Sequence, residues 1–180
     1  MNLRCKAAKF GTYFLLAYLL TVLQATPGLF AMGGVRPVLT AGLAVAVAMC
    51  EGEFAGGLFA AGAGLLCDFF SYNKLGYNAL LFFLCCVVIG LLVQSYMRPV
   101  MINCFLFAFL TVTVTESVSF FFRFFIRGVE GAFVLYATRI LPMALYTAVA
   151  ALPIYWLVRR LHDAFEKRME GNGQLRPPFY

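Results

Sequence analysis

Residues 51–80 read EGEFAGGLFAAGAGLLCDFFSYNKLGYNAL and contain the most informative pattern in the sequence. Its small residues Gly52, Gly56, Ala60 and Gly64 recur at four-residue spacing, and Asp68 continues the series. Residues four apart lie on one face of a helix, so these positions form a stripe without bulky side chains. In lipid, such a stripe lets a second helix backbone approach closely, since no hydrophobic force drives helices together there. We therefore predict that the stripe is a helix-packing or partner interface.

A short polar loop and a second apolar run follow the stripe. The loop contains Lys74, and Gly76 then opens the apolar segment GYNAL at residues 76–80. Asp68 stands at the end of the stripe helix, where a carboxylate opposes the helix dipole. We expect Asp68 to cap the next helix near Gly76, to pair with Lys74, or to contact a partner protein.

The composition is that of an integral membrane protein. Of the 180 residues, 63% are hydrophobic and 12% are charged, whereas soluble domains carry about 25% charged residues. At roughly 20 residues per span, five or six spans use almost the whole chain and leave no room for a soluble catalytic domain. The net charge of +6 comes from basic ends on an apolar body. This pattern indicates membrane topology and lipid headgroups as partners rather than nucleic acid.

Hydropathy predicts an all-α, polytopic integral membrane protein with six transmembrane helices. The predicted spans cover residues 10–32, 37–50, 52–69, 76–93, 100–121 and 132–158. A five-span alternative fuses the second and third segments. We expect residues 1–160 to form a single transmembrane helical domain and residues 161–180 a basic, partly disordered cytoplasmic tail.

The distribution of basic residues predicts the orientation. Six spans place both termini on one side, and assigning that side to the cytoplasm puts nine Lys and Arg inside and five outside. This bias has the sign of the positive-inside rule. We therefore expect a multi-pass protein of the bacterial cytoplasmic (inner) membrane with both termini cytoplasmic.

Besides Asp68, four ionisable residues in or beside the predicted spans are candidates for a functional role. Glu51 and Glu53 stand at a span boundary, where they form either a solvated polar turn or a contact with a basic partner segment. Glu116 lies in the fifth predicted span and Arg139 in the sixth. Each charge is costly in lipid, so we expect an intramembrane ion pair between Glu116 and Arg139. The alternatives are a protonated Glu116 and an Arg139 side chain that extends to the membrane surface.

Signatures of an enzyme are missing from the sequence. It contains no P-loop, no GxSxG and no HExxH. The one histidine, His162, falls in the predicted tail, and the six cysteines form no CxxC pair. Cysteines inside apolar runs pack as small apolar residues. We expect no catalytic, metal or cofactor site.

The first half of the chain resembles the MreD family, a small membrane subunit of the bacterial cell-wall elongation machinery. The residues that carry the resemblance are Gln24, Pro37, the stripe with Gly64-Leu65-Leu66 and Asp68, and Gly76 with Ala79 and Leu80. The resemblance implies a non-enzymatic partner of MreC, in an assembly with the RodA glycosyltransferase, a penicillin-binding transpeptidase and cytoskeletal MreB. The chain would then be a scaffold for lateral peptidoglycan synthesis and rod cell shape. A fold similar to the substrate-binding subunits of energy-coupling-factor transporters is also implied.

Two other functions stay open at the level of sequence. One is a substrate-binding subunit of an energy-coupling-factor vitamin transporter, and the other is a lipid-facing chaperone for an integral enzyme. A vitamin pocket needs convergent polar groups, and the candidates Tyr72, Asn73, Tyr77 and Asn78 are few. The small-residue stripe favours the scaffold.

Overall fold

Six helices make up the part of the chain that the computed structural model describes, which is residues 3–26, 36–71, 76–97, 99–122 and 132–170. No strand occurs within these ranges. The helices are α1 (Leu3–Ala25), α2 (Leu39–Glu51), α3 (Glu53–Ser71), α4 (Tyr77–Ser95), α5 (Met101–Phe120) and α6 (Ala132–Glu170). The all-α prediction is therefore confirmed for the described residues.

Five of the six helices are long and apolar enough to cross a membrane. The exception is α2, which has 13 residues. At 1.5 Å per residue this helix is about 20 Å long, against a hydrocarbon core of about 30 Å. The prediction of six spans is thus supported for five helices, and the crossing by α2 stays a prediction. The chain keeps α2 and α3 as separate helices, because Gly52 between them has φ 85°, a left-handed conformation that ends α2.

The short helix α2 forms the centre of the bundle. Every residue from Leu39 to Met49 is buried, and α2 contacts each of the other five helices. Its sequence, LTAGLAVAVAMCE, is mostly small and β-branched, so neighbouring backbones can come close. At Gly42, for example, an added Cβ would lie 3.0 Å from the Cβ of Ala151 in α6.

Contacts at the two ends of α2 fix its direction relative to α1 and α6. The hydroxyl oxygen of Thr40, near the start of α2, lies 3.1 Å from the hydroxyl oxygen of Thr21, near the end of α1. Glu51, at the end of α2, contacts Lys9 near the start of α1 and His162 near the end of α6. Helix α2 is therefore antiparallel to α1, and the early part of α1 and the late part of α6 lie at the same end of the bundle.

The long helices present apolar faces outward. On α5, exposed residues recur at four-residue spacing: Ile102, Leu106, Leu110 and Val114. The other long helices show similar exposed residues, including Leu80, Leu84 and Val88 on α4 and Leu141, Leu145 and Val149 on α6. Outward apolar faces suit lipid tails or the helices of other membrane proteins.

The predicted bounds differ most from the structure at the two terminal helices. Helix α1 begins at Leu3, and α6 continues to Glu170, past residue 160 where we expected the tail to start. The rest of the predicted first span at residues 27–32, the loop around Lys74, Arg98, the loop at 123–131 and the end of the tail at 171–180 lie outside the described residues.

Candidate functional site

The small-residue stripe of α3 is packed by helices of the same chain. The inclusion of Gly52 in the stripe was wrong, because Gly52 precedes α3 and its φ of 85° takes it off the helical face. Gly56, Ala60, Gly64 and Asp68 lie on α3 and are all buried. A Cβ atom added to Gly56 would lie 2.9 Å from the Cβ of Ala48 in α2. The backbones of α3 and α2 therefore touch at a distance that only glycine permits.

The second half of the stripe packs on α4. A Cβ atom added to Gly64 would lie 2.5 Å from the Cα of Ala79. Near the other end of α4, the glycine is on α4 and the neighbouring backbone is on α3. A Cβ atom added to Gly90 would lie 2.6 Å from the Cα of Glu53. We expected a groove that could receive a helix of another protein, but α2 and α4 fill it. Contact of the stripe with a partner protein would require these internal helices to move, and it stays a prediction.

Asp68 caps the amino-terminal end of α4. Its carboxylate accepts hydrogen bonds from the backbone N–H groups of Gly76 at 2.9 Å and Asn78 at 3.1 Å. The side chain is 1% exposed, and the two N–H groups are among those that a helix cannot satisfy internally. Gly76 has φ 91° here, which favours glycine. The predicted cap near Gly76 is confirmed, and the alternative partner Lys74 lies outside the described residues.

A buried group of ionisable side chains, which we call the Glu51 cluster, joins three helices. It lies at the end of the bundle where the first turns of α1 meet the last turns of α6. It consists of Lys9 and Tyr13 from α1, Glu51 from α2 and His162 from α6. Oε1 of Glu51 lies 2.5 Å from Nζ of Lys9 and 3.1 Å from Nδ1 of His162, and it accepts a hydrogen bond of 3.0 Å from the Tyr13 hydroxyl. Only 6% of the Lys9 side chain and 12% of the Glu51 side chain is exposed.

The contacts of His162 suit both of its protonation states. Nδ1 lies 3.0 Å from Nζ of Lys9 and 3.1 Å from Glu51, so a protonated Nδ1 donates to Glu51 and an unprotonated one accepts from Lys9. Nε2 lies 3.4 Å from Oε1 of Glu166, one turn further along α6. The ring therefore joins α6 to Glu51 of α2 when Nδ1 is protonated and to Lys9 of α1 when it is not.

Glu51 stays ionised because of its partners. It ends α2, outside the five helices of spanning length. Burial alone raises the pKa of Glu51, but hydrogen bonds from His162 and Lys9 outweigh burial and lower the pKa of this carboxyl to about 2. The predicted solvated turn is wrong for Glu51, because its side chain is 12% exposed and contacts Lys9 of α1 and His162 of α6. A contact of Glu51 and Glu53 with a basic partner segment stays a prediction.

Glu116 and Arg139 lie in different surroundings. Glu116 is half-buried on α5, whereas Arg139 is exposed on α6. Next to Glu116, the Thr115 hydroxyl donates to the carbonyl oxygen of Thr111 at 2.8 Å. The pair between Glu116 and Arg139 stays a prediction.

The cysteines that the structure describes pack as single thiols. Among the described residues, no three His, Cys, Asp or Glu side chains are grouped as metal ligands. The described cysteines are free thiols, and Cys67, Cys86 and Cys104 are buried in the bundle.

A family model described as rod shape-determining protein MreD matches residues 6–165. The chain belongs to the MreD family. The match extends to residue 165 within α6, well beyond the first half of the chain that carries the resemblance in sequence. As an MreD protein with five helices of spanning length, it is a multi-pass membrane protein that acts in determining rod shape.

No curated protein and no solved structure matches the chain. The expected similarity in fold to substrate-binding subunits of energy-coupling-factor transporters therefore finds no support in solved structures. The vitamin-transporter alternative is likewise unsupported, and membership of the MreD family favours the scaffold.

Proposed function

We propose that this MreD protein is a non-enzymatic scaffold of the cell-wall elongation complex. It binds MreC and supports lateral peptidoglycan synthesis and rod cell shape. The observation that carries the proposal is the family match over residues 6–165. The RodA glycosyltransferase and the penicillin-binding transpeptidase are reached through MreC, and membrane lipids surround the bundle.

The use of polar groups in the bundle supports a scaffold. The buried charged groups described above are engaged in joining helices: Asp68 caps α4, and Glu51 ties α1, α2 and α6 together. The surface that remains for partners is the apolar exterior of the five long helices. In lipid, helices associate by packing and by interhelical hydrogen bonds, so a partner helix would lie against one of these faces.

Both termini belong on the cytoplasmic side in this proposal, and α2 completes a sixth crossing. The Glu51 cluster supports this arrangement, because it brings Lys9 of α1 and His162 of α6 to one end of the bundle. Residues 36–38, which are not helical, precede α2 and add to the depth that this part of the chain covers. The excess of Lys and Arg assigned to that end has the sign expected for the cytoplasm.

Co-purification in mild detergent tests the partner. The tagged full chain is expressed with the MreC of the same organism, and a complex of the two is expected. A photo-crosslinking residue placed at single sites then locates the contact. At least one outward position among Ile102, Leu84, Leu58 and Leu145 should crosslink to MreC, whereas the buried Ala48 serves as the matched control and should not. Recovery of the intact chain without MreC, and no crosslink from any outward face, would overturn the proposal.

A further inference from the structure

Two arginines of α6 lie at the level where this helix leaves the lipid tails. Arg159 and Arg160 are exposed and directly follow the apolar run that ends at Val158. The turn between α4 and α5 lies at the same level, since the Pro99 carbonyl oxygen is 2.7 Å from the Tyr155 hydroxyl and 3.5 Å from Nη1 of Arg159. Irregular backbone of this kind does not face lipid tails. The two arginines are therefore at the depth of the lipid headgroups.

Both guanidinium groups lie one helical turn back along α6, toward its apolar part. Cζ of Arg160 is 4.3 Å from the centre of the Trp156 ring, four residues earlier. Arg159 reaches the same carbonyl oxygen as Tyr155, which is also four residues earlier. A long basic side chain usually keeps its charged end in water, whereas these two hold their charges beside the headgroup layer. A negatively charged group at that depth would compensate them.

Positive charge and N–H donors remain available at both guanidinium groups. Within the described ranges, no carboxylate forms an ion pair with Arg159 or Arg160, and the exposed Asp163 follows about one turn further along α6. Each guanidinium has five N–H donors, and Arg159 uses one of them on Pro99. Arginine binds phosphate through two parallel hydrogen bonds. The two residues therefore offer donors and charge that suit a phosphate group.

We propose that Arg159 and Arg160 bind the phosphate of an anionic phospholipid such as phosphatidylglycerol. The exposed apolar side chains of Trp156 and Leu157 then lie against its acyl chains, and tryptophan is typical of this depth in a membrane. A headgroup with a net negative charge fits better than a zwitterionic one, because basic residues at the surface are attracted to anionic lipids. The inference adds a specific lipid to the scaffold and does not depend on MreC.

Trp156 is the one tryptophan of the chain and reports binding at this site. The full chain is reconstituted in phosphatidylcholine bilayers that contain increasing fractions of a brominated lipid, which quenches tryptophan fluorescence on contact. Brominated phosphatidylglycerol should quench Trp156 at a lower mole fraction than brominated phosphatidylcholine does. Glycerol phosphate in solution shares the phosphate chemistry but lacks acyl chains. It should therefore leave the quenching unchanged.

Arginine variants test whether the charges select the lipid. Arg159→Gln and Arg160→Gln should each lower the preference for phosphatidylglycerol about fivefold, which is the effect of one basic residue at an anionic surface. Lys167→Gln removes the same charge from an exposed position on the same helix and is the matched control. Lys167 lies about 10 Å further along α6 than Arg160, which is about one Debye length. The preference should therefore stay unchanged in this variant.

Three results would each overturn the proposal. They are equal quenching by the two brominated lipids in the unmodified chain, an equal loss of preference in Lys167→Gln and Arg160→Gln, and displacement of the brominated lipid by glycerol phosphate. If Arg160→Gln does not fold, Arg160→Lys takes its place. Lysine keeps the charge but meets phosphate as a point charge without the two parallel hydrogen bonds. A partial loss of preference is then expected, and an unchanged preference would contradict the site.

Discussion

Glu51 holds α1, α2 and α6 together at the end of the bundle where α1 begins and α6 ends. One of its oxygens contacts a lysine, a histidine and a tyrosine from two other helices. Removing one partner of a buried ion pair is more damaging than replacing both, because the remaining charge is left without compensation.

Glu51→Gln should lower the free energy of unfolding by roughly 3 kcal/mol, because Lys9 is left buried without its counter-ion. The double variant Lys9→Met, Glu51→Leu should lose less than the sum of its two single variants. Melts in detergent measure both quantities, and Asp163→Asn is the exposed control. Additive losses in the double variant would show that the pair does not act as a unit.

The effect of Glu51→Gln should depend on pH. The folded-state pKa of Glu51 is lowered from 4.5 to about 2, so its contribution is full above the ordinary carboxyl pKa and is lost as the pH falls toward 2. The difference in the free energy of unfolding between the unmodified chain and Glu51→Gln should therefore be largest near neutral pH. It should shrink in melts at about pH 3, and a difference that grows in acid would contradict the assignment.

Asp68 has a separate and more local role, since it holds the start of α4. Asp68→Ala should cost about 1–2 kcal/mol, as expected for a lost cap with its two backbone N–H groups buried. Asp68→Asn keeps one acceptor oxygen and should cost less. Hydrogen exchange of the first turn of α4 is the direct readout. Equal protection of that turn in the unmodified chain and in Asp68→Ala would argue against the cap.

At the scale of the helices, close packing between α2, α3 and α4 depends on glycine. Gly56→Ala should lower the free energy of unfolding by about 2 kcal/mol, because the added methyl overlaps Ala48. Gly11→Ala is the matched control: Gly11 is an exposed helical glycine on α1 with nothing within 4 Å of an added Cβ, so it should be neutral or stabilising. Thermal melts measure the stability of the two variants. If Gly56→Ala and Gly11→Ala change the stability equally, the small-residue stripe of α3 is not in tight contact with α2.

The helices and the Asp68 cap could be predicted because their signals are local. The apolar runs that became α2 to α5 are bounded by polar residues, and Asp68 lies only a loop away from Gly76. The Glu51 cluster could not be found this way, since Lys9 and His162 are 153 residues apart in sequence. His162 was assigned to a tail because hydropathy falls after Val158, although the helix continues to Glu170. One signal in the sequence could have pointed to the cluster. Lys9 directly precedes the first predicted span and Glu51 directly follows the second, so six spans place both residues on the same side of the membrane.

For the whole molecule, the position of the termini follows from the contacts at the Glu51 cluster. A reporter active only in the cytoplasm, fused in turn to each end of the full chain, should be active in both fusions. The physical reason is that Lys9 and His162 meet at one end and that basic residues are retained on the cytoplasmic side. A stable protein with one silent fusion would mean that the termini are on opposite sides and that α2 does not cross.

The role in cell shape is tested most directly in cells whose own MreD has been removed and that carry this chain together with the MreC of its organism. The measurement is the ratio of cell length to cell width. If the chain is a scaffold of the elongation complex, rod shape should return with the unmodified chain and with Gly11→Ala. Glu51→Gln should restore it less, because less folded protein accumulates. Cells that stay round, although the unmodified chain is present in the membrane and is bound to MreC, would show that the chain does not act as this scaffold.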